Sequence, residues 1–187
     1  MLVKQVGALA LAGCLTPGAA SSEPARERVE AGTLRLHYLR NPIGYERYEV
    51  TRAGGSLRLD SAFDFKDRGG AVQLTTSLVM KADLSPERFE TRGKTYRFVK
   101  ADTTVEIVGR EAAVKEGTRS TRVCLPERFF TANGYAPFAV QMMLMRYWKE
   151  HGRPHFVPIL PGHPLSGVEI EWRGEDVLLI NGAPVRL

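Results

Sequence analysis

The sequence predicts a mainly β (α+β) protein, a curved antiparallel sheet or half-barrel of about ten or eleven strands wrapped round one amphipathic helix. Three observations carry that prediction. From residue 33 to 125 apolar and polar side chains alternate with a period of two, interrupted by turn residues and never by a helical period. Turn-forming residues recur at hairpin spacing, which specifies a meander. Only one later stretch, 137–151, has helical composition and periodicity.

Leu34, Leu36 and Tyr38 alternate with Arg35 and His37 in the first strand, and Asn41-Pro42 turns the chain. In the second strand, 43–52, Ile43 and Tyr45 share one parity while Tyr48 and Val50 share the other, so a β-bulge is expected near Glu46-Arg47. Gly54-Gly55 then leads into 56–67, where Leu57, Leu59, Phe63 and Phe65 fall on one face and Arg58, Asp60, Asp64 and Lys66 on the other. Val72, Leu74, Leu78 and Met80 repeat the pattern opposite Gln73, Ser77 and Lys81.

A long strand is expected over 88–100, kinked or bulged at Gly93, because Phe89 has one parity and Tyr96 and Phe98 the other. Shorter strands follow at 103–108, 112–116 and 119–125, the last holding Cys124 as a buried strand thiol.

Pro137 suits a first helical turn, and Gly152 and Pro154 stop the helix. Its apolar side is expected to be Phe138, Met142, Met145 and Trp148, flanked by Val140, Leu144 and Tyr147, with Gln141, Arg146, Lys149 and Glu150 wet. Pro154, Pro158, Pro161 and Pro164 make the next stretch a stiff crossing segment outside the sheet. A last meander is expected at 168–172, 177–180 and 184–187, with Asn181-Gly182 as its hairpin.

Residues 1–20 read as a signal peptide. Lys4 is the one charge before Glu23, and the apolar run at 6–13 is far short of the ~20 residues needed to span a bilayer. Two processing sites compete: Gly18-Ala19-Ala20 suits ordinary cleavage, while Leu11-Ala12-Gly13-Cys14 resembles a lipobox that would acylate Cys14. The expectation is an exported chain, periplasmic or lipid-anchored, with 21–31 as a tether and 32–187 as one domain that the strand-terminated end marks as a candidate fragment.

The chain is 43% apolar and 25% charged, a globular composition. Either cleavage leaves Cys124 alone, so stability must come from the core rather than an internal disulfide. Basic residues are dispersed among acids, which argues against nucleic acid as a partner; membrane contact is expected only through an N-terminal lipid.

Catalytic and metal motifs are missing. His151 and His155 have helical metal spacing, but Gly152 and Pro154 between them forbid the helix. Asp60 and Asp64 lie roughly 13 Å apart on one strand face, too far for a retaining acid pair. There is no Gly-x-Ser-x-Gly elbow, P-loop, dinucleotide fingerprint or Cys-x-x-Cys. No cofactor and no metal ligand set is therefore assigned. The candidate ligand-binding surface is instead the concave face, Phe63, Phe65, Leu74, Leu78 and Met80, closed by Phe138, Met142, Met145 and Trp148; the adaptable thioethers suit an apolar ligand, and equally a filled core.

Several blocks carry a resemblance: Gly32-Thr33-Leu34-Arg35-Leu36, Pro42-Ile43-Gly44-Tyr45-Glu46-Arg47-Tyr48-Glu49-Val50, Phe63-Asp64-Phe65-Lys66-Asp67-Arg68-Gly69, Leu84-Ser85-Pro86-Glu87-Arg88-Phe89-Glu90 with Gly93-Lys94, Gly134-Tyr135-Ala136-Pro137, Arg146-Tyr147-Trp148 and His151-Gly152-Arg153-Pro154. Together they resemble the β-rich N-terminal region that precedes the catalytic domain in some secreted bacterial amidohydrolase-like proteins. At the level of architecture the chain is also similar to the lipoprotein-carrier half-barrels. The first resemblance implies that metal ligands, including a His-x-His pair, would belong to a downstream barrel; no such pair occurs here. Two functions follow as expectations: a non-catalytic half-barrel that binds a lipid or other apolar ligand or serves as a docking module, or an accessory region for a downstream catalytic domain or protein partner.

Overall fold

The computed structural model describes residues 26–67, 70–95, 100–134, 137–162, 166–175, 177–180 and 183–186. Its main sheet contains β1 (Glu27–Tyr38), β2 (Asn41–Ala53), β3 (Ser56–Asp67), β4 (Gly70–Met80), β5 (Pro86–Lys94), β6 (Lys100–Val108), β7 (Glu111–Glu116) and β8 (Arg119–Cys124). These strands lie in chain order, each antiparallel to the one before, in a curved sheet that does not close. The expected meander is therefore present.

Register explains the core. Val50, Leu59, Leu78, Phe89, Val105 and Val114 stand opposite one another across six strands, and all are at least 95% buried. One apolar residue at the same pleat position on each strand makes a continuous dry stripe. The next row on the same face is hydroxylic: Ser61, Thr76, Thr91 and Thr103, all buried, with Thr76 and Thr91 bonded at 2.9 Å. Beyond it Phe63, Phe65, Val72 and Leu74 form a second, smaller apolar cluster.

Helix α1 (Phe138–Glu150) covers this face. Its N-cap, Pro137, offers no side-chain hydrogen bond, and its first turn has no acid. Glu46 of β2 supplies both from across the core: its carboxylate accepts from the Phe138 N–H at 2.7 Å and the Ala139 N–H at 3.0 Å, and from the Ser61 hydroxyl at 2.6 Å. A fully buried carboxylate is tolerable here because three donors and the positive end of the helix dipole replace its water.

That inward acid accounts for the apparent slip in β2. Gly44, Glu46, Tyr48 and Val50 share one parity, and the β2–β3 register runs unbroken through Glu46-Arg47. Two irregularities lie instead against β1: Leu36 faces Gly44 but His37 faces Pro42, leaving Ile43 extra, and Arg28 faces Thr51 but Glu30 faces Val50, leaving Val29 extra. Gly93 is a kink without a bulge: its φ is +141°, its pairing with Leu74 and Ala101 is regular, and a Cβ there would lie 1.9 Å from the Gln73 carbonyl oxygen.

Other expectations are corrected. The strand expected at 88–100 ends at Lys94, which pairs with Lys100 at the start of β6; Tyr96 and Phe98 lie outside the described residues. β1 begins at Glu27, inside the expected tether, because its early residues pair with Thr51 and Arg52 of β2. Cys124 is exposed, because it stands opposite Glu111 on the outer face of the sheet while Val123 stands opposite the buried Ala112.

The proline-containing stretch is not a crossing segment. β10 (Phe156–Leu160) is the centre of a second sheet, parallel to β9 (Phe130–Thr131) and antiparallel to β11 (Gly167–Glu169). Pro158 fits because β9 engages only Ile159 and Leu160. β12 (Val177–Ile180) and β13 (Ala183–Arg186) pair with each other rather than with β11; the expected Asn181-Gly182 turn lies outside the described residues.

Candidate functional site

The helix is rotated from its expected setting. Its buried stripe is Ala139, Val140, Met143, Leu144, Tyr147 and Trp148, a 3.6-residue period with small residues at the start that let the N-terminus approach Glu46. Arg146 helps fix the rotation by bonding Glu30 of β1 at 2.7 and 3.1 Å, while the Tyr48 hydroxyl donates to the same carboxylate at 2.8 Å. Those bonds hold the Glu30 carboxyl below the usual carboxylate range, the Arg146 contact being the largest cause. Phe138 and Met145, expected to face inward, are 39% and 40% exposed.

The nine residues of the expected concave site thus divide. Leu78, Met80 and Trp148 belong to the main core; Met142 packs against it. Phe63, Phe65 and Leu74 form the second cluster, with Phe63 packed on Phe65 at 5.4 Å and on Phe138 at 5.8 Å between ring centroids. Leu78 and Met80 are fully buried and Phe63 is 2% exposed, so this face is occupied by protein rather than held open.

The opening lies on the opposite flank of α1. A cleft of about 600 Å³ runs between the helix and the β9–β11 sheet. Phe138, Gln141 and Leu144 form its helical wall; Ile159 of β10 and Val168 of β11 face them. Ala132, after β9, and Pro161 also line it, with the exposed Ser166 at the rim. Gln141 is oriented by its own side-chain N–H, which donates to the Gly134 carbonyl at 2.9 Å. No protein-family model matches the chain, and no curated protein or solved structure is significantly similar to it.

Of the nine expected residues only Phe138 lines this cleft. Pro158 hides the strand character of Phe156-Val157-Pro158-Ile159-Leu160 and with it Ile159, while Val168 falls in an expected strand that nothing local places beside the helix. The available signal for Ile159 was the five-residue apolar run Phe156–Leu160, which is strand-like even with one proline.

Other openings have a different character. A groove of about 460 Å³ crosses the solvent face of β2 to β5, lined by Arg47, Glu49, Arg58, Asp60, Glu90 and Arg92. Its carboxylates are already engaged: Asp60 by Arg58 at 2.8 Å, Glu90 by Arg92 at 2.8 Å, and Glu49 by Arg28. Pairs two residues apart on one strand, as in Arg58–Asp60 and Glu90–Arg92, and the cross-strand pair Arg28–Glu49 are what a wetted sheet face carries.

His151 is committed structurally. Its Nδ1 bonds the Tyr147 carbonyl at 2.9 Å, its Nε2 lies 3.4 Å from the Ser85 hydroxyl, and its ring stacks on Tyr147 at 3.9 Å. Among the described residues no cluster of three potential metal ligands occurs, and no helix is long and apolar enough to cross a membrane.

Proposed function

We propose that this chain is an exported, non-catalytic binding module that takes an apolar chain into the cleft between α1 and the β9–β11 sheet. The observation that supports this reading is the contrast in lining: Phe138, Leu144, Ile159, Pro161 and Val168 make an apolar opening of about 600 Å³ outside a face that is otherwise closed. Filling it removes that surface from water at roughly 25 cal/mol per Å² of apolar area. A largely pre-formed apolar opening with few polar groups is the form small-molecule sites take.

The expected acyl-chain binding is tested by native mass spectrometry of protein purified without delipidation, alongside displacement of a fluorescent apolar probe. Val168→Arg places a long charged side chain in the cleft and should abolish saturable one-to-one binding without unfolding the main sheet. Absence of binding in the wild type, or binding indifferent to that substitution, would sink the proposal.

A second reading, an accessory region for a catalytic partner domain, is favoured by β12–β13. An isolated two-stranded hairpin is at best marginally stable in water, and these strands carry Val177, Leu178, Leu179 and Ile180 in sequence. Hydrogen exchange over 177–186 that is slow in the isolated chain would count against it.

A further inference from the structure

We infer that the cleft selects amphiphiles whose head group is uncharged, an inference that rests on the binding role proposed above. In a chain where 25% of residues are charged, none of the described residues lining the cleft is Asp, Glu, Lys, Arg or His. Among the described residues its polar side chains are the Gln141 amide and the Ser166 hydroxyl. With one Gln141 N–H spent on the Gly134 carbonyl, the amide oxygen and second N–H remain to meet a ligand.

The arrangement fixes orientation as well as charge. Leu144 and Ala132 are 3% and 4% exposed and form the depth of the cleft, whereas Ser166 is exposed at the rim and Gln141 is half-buried. An alkyl chain therefore occupies the depth, and its head lies between Gln141 and Ser166.

A hydroxyl or ester there exchanges hydrogen bonds with water for similar bonds with the amide and hydroxyl, at little net change. A carboxylate, phosphate or ammonium there gives up part of its hydration and meets no counter-charge among the described lining residues. Arg146, the nearest cation along the helix, does not compensate an anion, because its guanidinium is held by Glu30 of β1.

The test holds the chain constant and varies the head: 1-dodecanol, laurate and dodecyltrimethylammonium, titrated at neutral pH into the full chain and into Val168→Arg. Dodecanol should bind about tenfold or more tighter than either ion, tenfold being 1.4 kcal/mol. Gln141→Lys should raise laurate affinity by about tenfold and leave dodecanol nearly unchanged. Equal binding of laurate or the ammonium and dodecanol to the wild type, each lost in Val168→Arg, overturns the head-group selection and leaves the cleft standing. Binding of none of the three, or binding that survives Val168→Arg, overturns both.

Discussion

The two flanks of α1 solve opposite problems with the same helix. Toward the main sheet, the helix shares one core with fully buried strand residues, and Ser61, Thr76 and Thr91 there are bonded to Glu46 or to each other. Toward β9–β11, Phe138 and Gln141 stand away from Ile159 and Val168 and leave about 600 Å³ open. The difference comes from the facing layer. From β2 to β7 one buried row runs unbroken from Val50 to Val114, whereas in the three-stranded sheet β10 is joined to β9 by only two residue pairs.

Truncation on the two flanks should separate them most sharply. Leu78→Ala removes a side chain that is fully buried beneath the helix, and should cost about 3 kcal/mol in urea unfolding, since the rigid sheet cannot collapse into the cavity. Ile159→Ala, on the half-buried wall of the cleft, should cost only about 1 kcal/mol while weakening ligand binding. Equal losses at both positions would mean that the cleft closes in solution.

Glu46 tests the polar half of the filled flank. Glu46→Ala strips the helix N-terminus of its acceptor and leaves the Phe138 and Ala139 N–H groups and the Ser61 hydroxyl without a partner, a loss of about 2–3 kcal/mol. Glu46→Gln keeps an acceptor and should recover part of it. If the two variants unfold at the same urea concentration, the negative charge of Glu46 carries the loss, and the packing and single acceptor that Gln retains contribute nothing.

Glu46 also marks where sequence reading stops. The main sheet is legible because each strand has one dry and one wet face, and Leu57, Leu59, Phe63 and Phe65 fall where the alternation puts them. A single inward carboxylate breaks that code, so β2 reads as bulged when its pairing to β3 is regular. Its partners, Phe138 and Ala139, lie more than ninety residues away and are invisible to local periodicity. The helix itself is legible, but its rotation is not: Phe138, Met142 and Met145 are as apolar as the residues that are buried. The cleft is hardest to foresee, because it needs the β9–β10 pairing, a two-residue parallel contact joining distant segments.

The smallest effect concerns the clamp that holds α1 to β1. Because Arg146 and Tyr48 hold Glu30 below its ordinary carboxylate range in the folded chain, the clamp's contribution is complete above the unfolded value, roughly 4.3, and is lost as pH falls through the folded value. The side chains of Arg146 and Glu30 are 41% and 31% exposed, so water and salt screen the pair and its worth is under about 1 kcal/mol. Asp83 is lowered as well, chiefly by the Ser85 backbone N–H, and titrates in the same direction. Subtraction against Glu30→Gln therefore isolates the clamp: the wild type should exceed the variant slightly at pH 7, and the difference should shrink as pH falls below roughly 4.3. A gap that stays constant with pH would assign the effect to packing along the Met142–Arg146 stem, and β1 would then be held to the helix by shape rather than charge.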